Sequence, residues 1–183
     1  GSNTGTNTWQ SAIKDNGGVG ATVNLTKSGA GKWILSGSNT YTGSTSITGG
    51  LLEIASTGRI NTTSGVTLNG SGAQLKYNSA TAYTQPLTLT QGTLSGTGTI
   101  SASGGVTIGT NAIISPGNSP GTQNYTSGLT WASGGTFLWE IGNWTGSAGS
   151  AYDQIVVSGA TLDISATSGS PFTIKITSLT GTA

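Results

Sequence analysis

Apolar residues recur at every second position in short runs along this chain: Trp33 and Leu35, Leu52 and Ile54, Val66 and Leu68, Leu87 and Leu89, Val106 and Ile108, Ile155 and Val157, Leu162 and Ile164, and Phe172, Ile174 and Ile176. That period predicts strands with one buried face. Gly, Asn or Ser separates the runs at nearly every junction, as at Gly49-Gly50, Asn69-Gly70, Gly104-Gly105 and Gly134-Gly135, and supplies the positive φ that tight corners need. Helical periodicity is nowhere convincing.

The runs also repeat at a longer interval. One apolar series is Ile47, Leu68, Leu89, Ile108 and Leu129, in steps of 21, 21, 19 and 21; a second is Leu35, Ile54, Leu75, Leu94 and Ile113, in steps of 19, 21, 19 and 19. Two interleaved series at about 20 residues mean that each unit holds two or three short strands whose inward residues share one axis. The expected fold is therefore all-β: a parallel β-helix, or β-solenoid, with coils of about 20 residues. One coil cannot bury its apolar face alone, but stacking coils at the ~4.8 Å strand spacing pairs each backbone group with the next coil and makes one core. An antiparallel jelly roll or sandwich also uses short strands, yet it requires no fixed interval and ranks second.

The interval divides the chain into three stretches. Residues 1–21 are read as a cloning scar at Gly1 and Ser2 followed by a first coil or cap, and residues 22–114 as regular coils. Residues 115–183 continue the β-helix beyond a corner, Ser115-Pro116-Gly117-Asn118-Ser119-Pro120-Gly121, whose prolines cannot donate to a ladder. The spacing widens near 143–150, which reads as a protruding loop.

Composition narrows the chemistry. Of 183 residues, 32 are Gly, 33 Thr and 25 Ser; there is no Cys, Met or His, and six basic against five acidic side chains leave a net charge of +1. Without a basic cluster, nucleic acid and anionic membrane surfaces are poor partners. A surface kept wet by hydroxyls and amides rather than charge fits an extracellular location. The lack of cysteine is no argument against export, because stacked repeats supply their own core.

The stretch from Leu25 to Ile54, LTKSGAGKWILSGSNTYTGSTSITGGLLEI, resembles the autotransporter-associated β-strand repeat, also called the passenger-associated transport repeat. Gly29, Gly31, Leu35, Gly37, Asn39, Tyr41, Gly43, Thr45, Gly50, Leu51 and Leu52 carry the resemblance, with Asn39, Tyr41 and Gly43 at their spacing its most specific part. Ser115 to Thr122 and Tyr152 to Gly159 are similar to segments that often follow such repeats in large bacterial surface proteins. The resemblance implies a right-handed parallel β-helix in the passenger of a type V secreted or related outer-membrane-anchored protein. It implies a cell-surface location, with the remainder of the polypeptide and its outer-membrane translocator as partners. It also implies a role in passenger export and folding rather than catalysis.

Enzymatic alternatives find little footing in the residues. Pectin-active β-helices need paired carboxylates or an acidic calcium cluster. Here five acids are scattered, with Asp153 and Asp163 the one pair that could share neighbouring strands, and Glu53 and Glu140 expected to face outward. Ser-His catalysis lacks its histidine. Lys27 beside Ser28 reads as an accident of a Ser-rich chain, and no phosphate loop, zinc spacing or EF-hand loop occurs. No catalytic or metal-binding residue and no cofactor is expected.

Aromatics are the remaining recognition candidates. Trp144, Tyr125, Trp131 and Tyr152 are the candidate ligand contacts, Trp144 the best placed for exposure, whereas Trp139 alternates with Phe137 and Ile141 as core. Thr93, Thr97 and Thr99 do not continue as a regular threonine ladder. The expected function is a structural β-helical segment, a rigid stalk and export-promoting folding unit. Adhesion to a host protein or glycan, or self-association through open coil ends, is the alternative, and a carbohydrate-active enzyme comes third.

Overall fold

The computed structural model describes residues 4–18 and 20–179; Gly1 and Ser2 lie outside the described residues. Among the described residues every regular element is a β-strand, and every strand pairs in parallel with the strand one coil away.

Three faces wrap one axis. The first stacks eight strands in the order β1 (Thr6–Trp9), β3 (Lys32–Leu35), β5 (Gly50–Ile54), β6 (Val66–Tyr77), β7 (Leu87–Gly96), β10 (Ala112–Pro116), β13 (Thr136–Ile141) and β16 (Thr173–Ser178). The second begins with β2 (Leu25–Lys27) and β4 (Thr45–Ile47), which pair on to the leading end of β6. Both β6 and β7 turn the corner between these two faces without a break, through Asn69 to Gly72 in β6. The second face resumes as a separate ladder of β9 (Val106–Ile108), β12 (Leu129–Trp131) and β15 (Leu162–Ile164). Between β7 and β9 it opens into a groove of about 330 Å³ lined by Pro86 to Leu89 and by Gly104, Gly105 and Thr107. The third face carries β8 (Thr99–Ile100), β11 (Thr122–Tyr125) and β14 (Gln154–Val157).

The core is the sum of inward columns. On the first face Trp33, Leu52, Leu75, Leu94, Ile114, Phe137 and Ile174 stand in register; on the second, Ile47, Leu68 and Leu89 do. The periodic series identified the right faces but slipped in register at three points. Ile54 stacks on Tyr77 rather than Leu75, Ile108 stacks on Trp131 rather than Leu129, and of the adjacent pair it is Ile114, fully buried, that faces inward rather than Ile113. Strands such as β4, β5 and β9 bury two residues each, and either gives a pitch close to 20.

Four tyrosines, Tyr41, Tyr77, Tyr83 and Tyr125, are fully buried. A buried phenol needs a partner, and each hydroxyl finds one within four residues: Thr45 Oγ1 at 2.7 Å, the Thr81 carbonyl at 2.7 Å, the Pro86 carbonyl at 2.9 Å and Gln123 Oε1 at 3.0 Å. Burial pushes all four phenols above their ordinary pKa. On the outside of the second face Thr26, Ser46, Thr67 and Thr88 stack in register, as do Thr107 and Thr130. These hydroxyls hydrate the wall without charge.

Candidate functional site

Residues 25–54 span parts of two successive coils, and their polar side chains tie those coils together. In β2, alternation places Lys27 inward beside Leu25, stacked on Ile47. The lysine is 5% exposed. Its ammonium has three hydrogens and donates to three carbonyls, of Ser28 at 2.9 Å, Gly29 at 2.8 Å and Gly49 at 2.8 Å. Loss of hydration lowers its pKa. Gly50, at φ +62, has no side chain where a Cβ would meet the Gly29 and Gly31 carbonyls and lie 2.6 Å from Lys27 Nζ, so the double glycine makes room for the cation. Lys27 therefore serves the corner, bonded to the Ser28 carbonyl.

Asn39 clamps three coils. Its amide nitrogen donates to the carbonyls of Gly37 and Arg59, both at 3.0 Å, and its oxygen accepts the Ile13 N–H at 2.9 Å. The residue is 2% exposed. Gly37 and Gly43 let the preceding coil approach: a Cβ on Gly37 would lie 2.6 Å from the Ser11 carbonyl, and one on Gly43 would run into that of Val23. Around Gly43 a buried hydroxyl chain runs from Tyr41 Oη to Thr45 Oγ1 at 2.7 Å and on to Thr63 Oγ1 at 3.2 Å, which donates to the Gly43 carbonyl at 2.6 Å. Leu35 and Leu52 are buried in the core. Gly29, at φ +70, turns the chain into β3.

The aromatic candidates divide. Tyr125 is fully buried and bonded to Gln123, so a ligand-contact role for it is corrected: its ring belongs to the inward stack with Ile100 and Val157. Trp131 is half-buried and inward, stacked on Phe172 with centroids 4.7 Å apart and planes 1° from parallel. Trp144 and Tyr152 come together through Trp139, each meeting it edge to face at 6.5 and 6.3 Å. Trp144 is 60% exposed. Its loop is braced internally: Gly142 N–H donates to the Ala151 carbonyl, Gly149 N–H to that of Tyr152, and Ala151 N–H to that of Ser147.

Asp153 fastens this loop to the body. Its carboxylate accepts the Gly121 N–H at 2.8 Å and the Glu140 N–H at 3.0 Å, joining the proline-containing corner to β13, and its carbonyl accepts the Trp139 indole N–H at 2.8 Å. Asp163 lies outward on β15, exposed and opposite Thr130, so the two acids form no pair. Burial raises the Asp153 carboxyl from 3.8 to about 6, against the two backbone donors and with a small contribution from nearby Glu140. The folded state thus binds this proton more tightly than the unfolded one. The stability so contributed is complete below the ordinary value of 3.8 and is lost as pH rises through 6. Relative to Asp153→Asn, the parent should gain about 1–2 kcal/mol between pH 7 and pH 4.5, allowing for solvent screening. Parallel curves of Tm against pH for the two proteins would refute it. Asp15 runs the other way: bonds from the Val23 N–H and from Thr42 lower its pKa, so its contribution holds above 3.8 and fades in stronger acid.

The geometry of residues 25–54 is that of a coil-to-coil cross-link, and the passenger-associated-transport-repeat family model matches those residues. The chain carries an autotransporter passenger repeat. A segment of 63 residues, 34% of this chain, is 44% identical to the adhesin BmaC autotransporter of Brucella suis biovar 1 (strain 1330) and spans 2% of that protein's length. No solved structure matches the chain. The repeat supports a bacterial surface or secreted location.

Three residues that hold this architecture escape a motif reading. Lys27 had a signal, since one pitch back from Ile47 lands on it at an inward position. Thr63 and Asp153 had none: their bonds run to Gly43 and Gly121, 20 and 32 residues away.

Proposed function

We propose that the chain is a rigid stalk segment of an autotransporter passenger, and that its repeat promotes folding of the passenger as it emerges at the cell surface. The observation that carries this reading is Asn39, whose one side chain bonds the coil before it, its own and the coil after it. A parallel β-helix grows coil upon coil, each new coil finding a template in the last. A residue that bonds three coils makes the template pay off early, because a coil becomes stable once its successor arrives. Folding outside the cell then resists backward sliding of the chain through its translocator. No catalytic step belongs to this reading. In a passenger carrying this segment, Asn39→Ala should reduce the amount displayed on the surface while total synthesis stays constant. Unchanged display alongside a lowered melting temperature of the purified segment would leave the repeat a stability element only.

Adhesion is the second reading, favoured by Trp144. It is 60% exposed, on the loop between β13 and β14. The loop from Gly142 to Tyr152 carries no charged residue, and its amides and hydroxyls beside an indole face fit a neutral glycan better than a charged protein surface. A stalk gives no saturable binding in a screen of glycans and matrix proteins. A saturable hit weakened about tenfold or more by Trp144→Ala would replace the stalk reading with the adhesive one.

A further inference from the structure

The corner between the second and first faces is longer in β6 than in the coil before it. Ile47 pairs with Leu68 and Gly50 with Ala73. Between these rungs the earlier coil has only Thr48 and Gly49, whereas β6 has Asn69, Gly70, Ser71 and Gly72. The surplus forms a bulge. The register shifts on both sides of Asn69, and Gly70, Ser71 and Gly72 pair with no residue of either neighbouring strand. Asn69, Ser71 and Gly72 are exposed, and a Cβ on Gly72 would meet open space. Asn69 Oδ1 accepts a long bond from Gln91 Nε2, at 3.4 Å.

We propose that Asn69 is a site of spontaneous deamidation, in which the backbone nitrogen of Gly70 attacks the side-chain amide of Asn69. The new bond joins Gly70 N to Asn69 Cγ. The Cγ–Nδ2 bond breaks, and ammonia leaves with the proton that the Gly70 nitrogen gives up. Water then opens the cyclic imide at either carbonyl, leaving aspartate or, where the main chain now runs through Cβ and Cγ, isoaspartate. The step needs no reactant besides water. Three features of the corner favour it. Position 70 must be glycine, since a Cβ there would run into the Thr48 carbonyl, so no side chain shields the attacking nitrogen. The bulge begins at the Asn69–Gly70 peptide, which can therefore turn toward the near-attack geometry that a paired ladder forbids. The donor on Oδ1 draws electron density away from Cγ. Asn61 and Asn78 lack this combination: Thr62 and Ser79 follow them, and their amides donate to the Ala82 carbonyl at 2.7 Å and to Glu53 Oε1 at 3.2 Å. The inference concerns covalent chemistry and does not rest on the stalk or export reading.

The test follows the purified chain through incubation at mildly alkaline pH. A more acidic form should accumulate on ion exchange, because one added carboxylate takes the formal charge from +1 to zero. Peptide mapping by tandem mass spectrometry separates Asn69 from Asn16, which is also followed by glycine. It should find isoaspartate and aspartate at position 69, formed severalfold faster than at Asn61 or Asn78. Urea below the unfolding transition should leave that rate unchanged, since the bulge is already open. Asn69→Gln, whose side chain would have to close a larger ring, should slow growth of the acidic form. Conversion at position 69 no faster than at Asn61 or Asn78 overturns the proposal. So does a rate that climbs with urea, because the reaction would then wait for the coil to open, and so does aspartate without isoaspartate, which would mean direct hydrolysis of the amide. An Asn69→Gln chain that turns acidic as fast as its parent would place the modification elsewhere and overturn it as well.

Discussion

Leu68→Asp is expected to unfold the protein at ambient temperature or to leave it barely folded. Leu68 is fully buried, stacked between Ile47 of the coil before and Leu89 of the coil after. Removing its side chain alone costs about 2–5 kcal/mol, and placing an unpaired carboxylate in the same space adds several more, against a total stability of about 5–15 kcal/mol for a domain. Leu89→Asp should cost about half as much although it sits one rung away in the same column. Leu89 is only half-buried and borders the groove where the second face opens between β7 and β9, so a carboxylate there can reach water. Chemical denaturation of the two variants checks both the size and the order of the effects. Equal losses would mean that the groove is closed in solution, and a Leu68→Asp protein that unfolds like its parent would put the register itself in error.

That contrast between two leucines marks how far the sequence could be read. Period-2 runs and a 20-residue interval are enough to specify a parallel coil stack, because each demands that the same face be buried on every rung. They do not specify which of two inward residues meets which. Leu52 and Ile54 are both inward, as are Leu75 and Tyr77, and an aliphatic series passes over the tyrosine that Ile54 meets. Two adjacent isoleucines, Ile113 and Ile114, carry no internal sign of which faces in; the column from Leu94 to Phe137 decides it. Polar residues were legible only where the family motif marked them. Tyr125 read as a recognition residue because an aromatic next to a loop looks exposed, whereas the solenoid places it over Ile100 with Gln123 beneath its hydroxyl. Asp153 read as half of a carboxylate pair with Asp163, since nothing local reveals that its carboxylate accepts the Gly121 and Glu140 N–H groups.

Asn39→Ala should cost about 2 kcal/mol. The arithmetic follows the partners. The Arg59 carbonyl keeps a second donor, the Asn39 backbone N–H at 3.1 Å, and so loses little. The Gly37 carbonyl likewise keeps the Arg59 N–H at 3.2 Å, so the Ile13 N–H is the group that loses its partner, and a polar group left unsatisfied costs about 1–3 kcal/mol. Asn39→Asp separates this account from simple loss of volume, because it keeps the shape and one useful acceptor. Its carboxylate can still take the Ile13 N–H, but its other oxygen would face the Gly37 and Arg59 carbonyls at the 3.0 Å now spanned by donated hydrogens. The aspartate variant should therefore be at least as unstable as the alanine one at pH 7 and recover part of the loss in acid, when a protonated carboxyl can donate one bond again. Thermal melts of both variants at pH 7 and pH 4.5 read this directly. An aspartate variant as stable as the parent would mean that the amide hydrogens do not hold the coils, and with them would go the three-coil clamp on which the proposed role of the repeat depends.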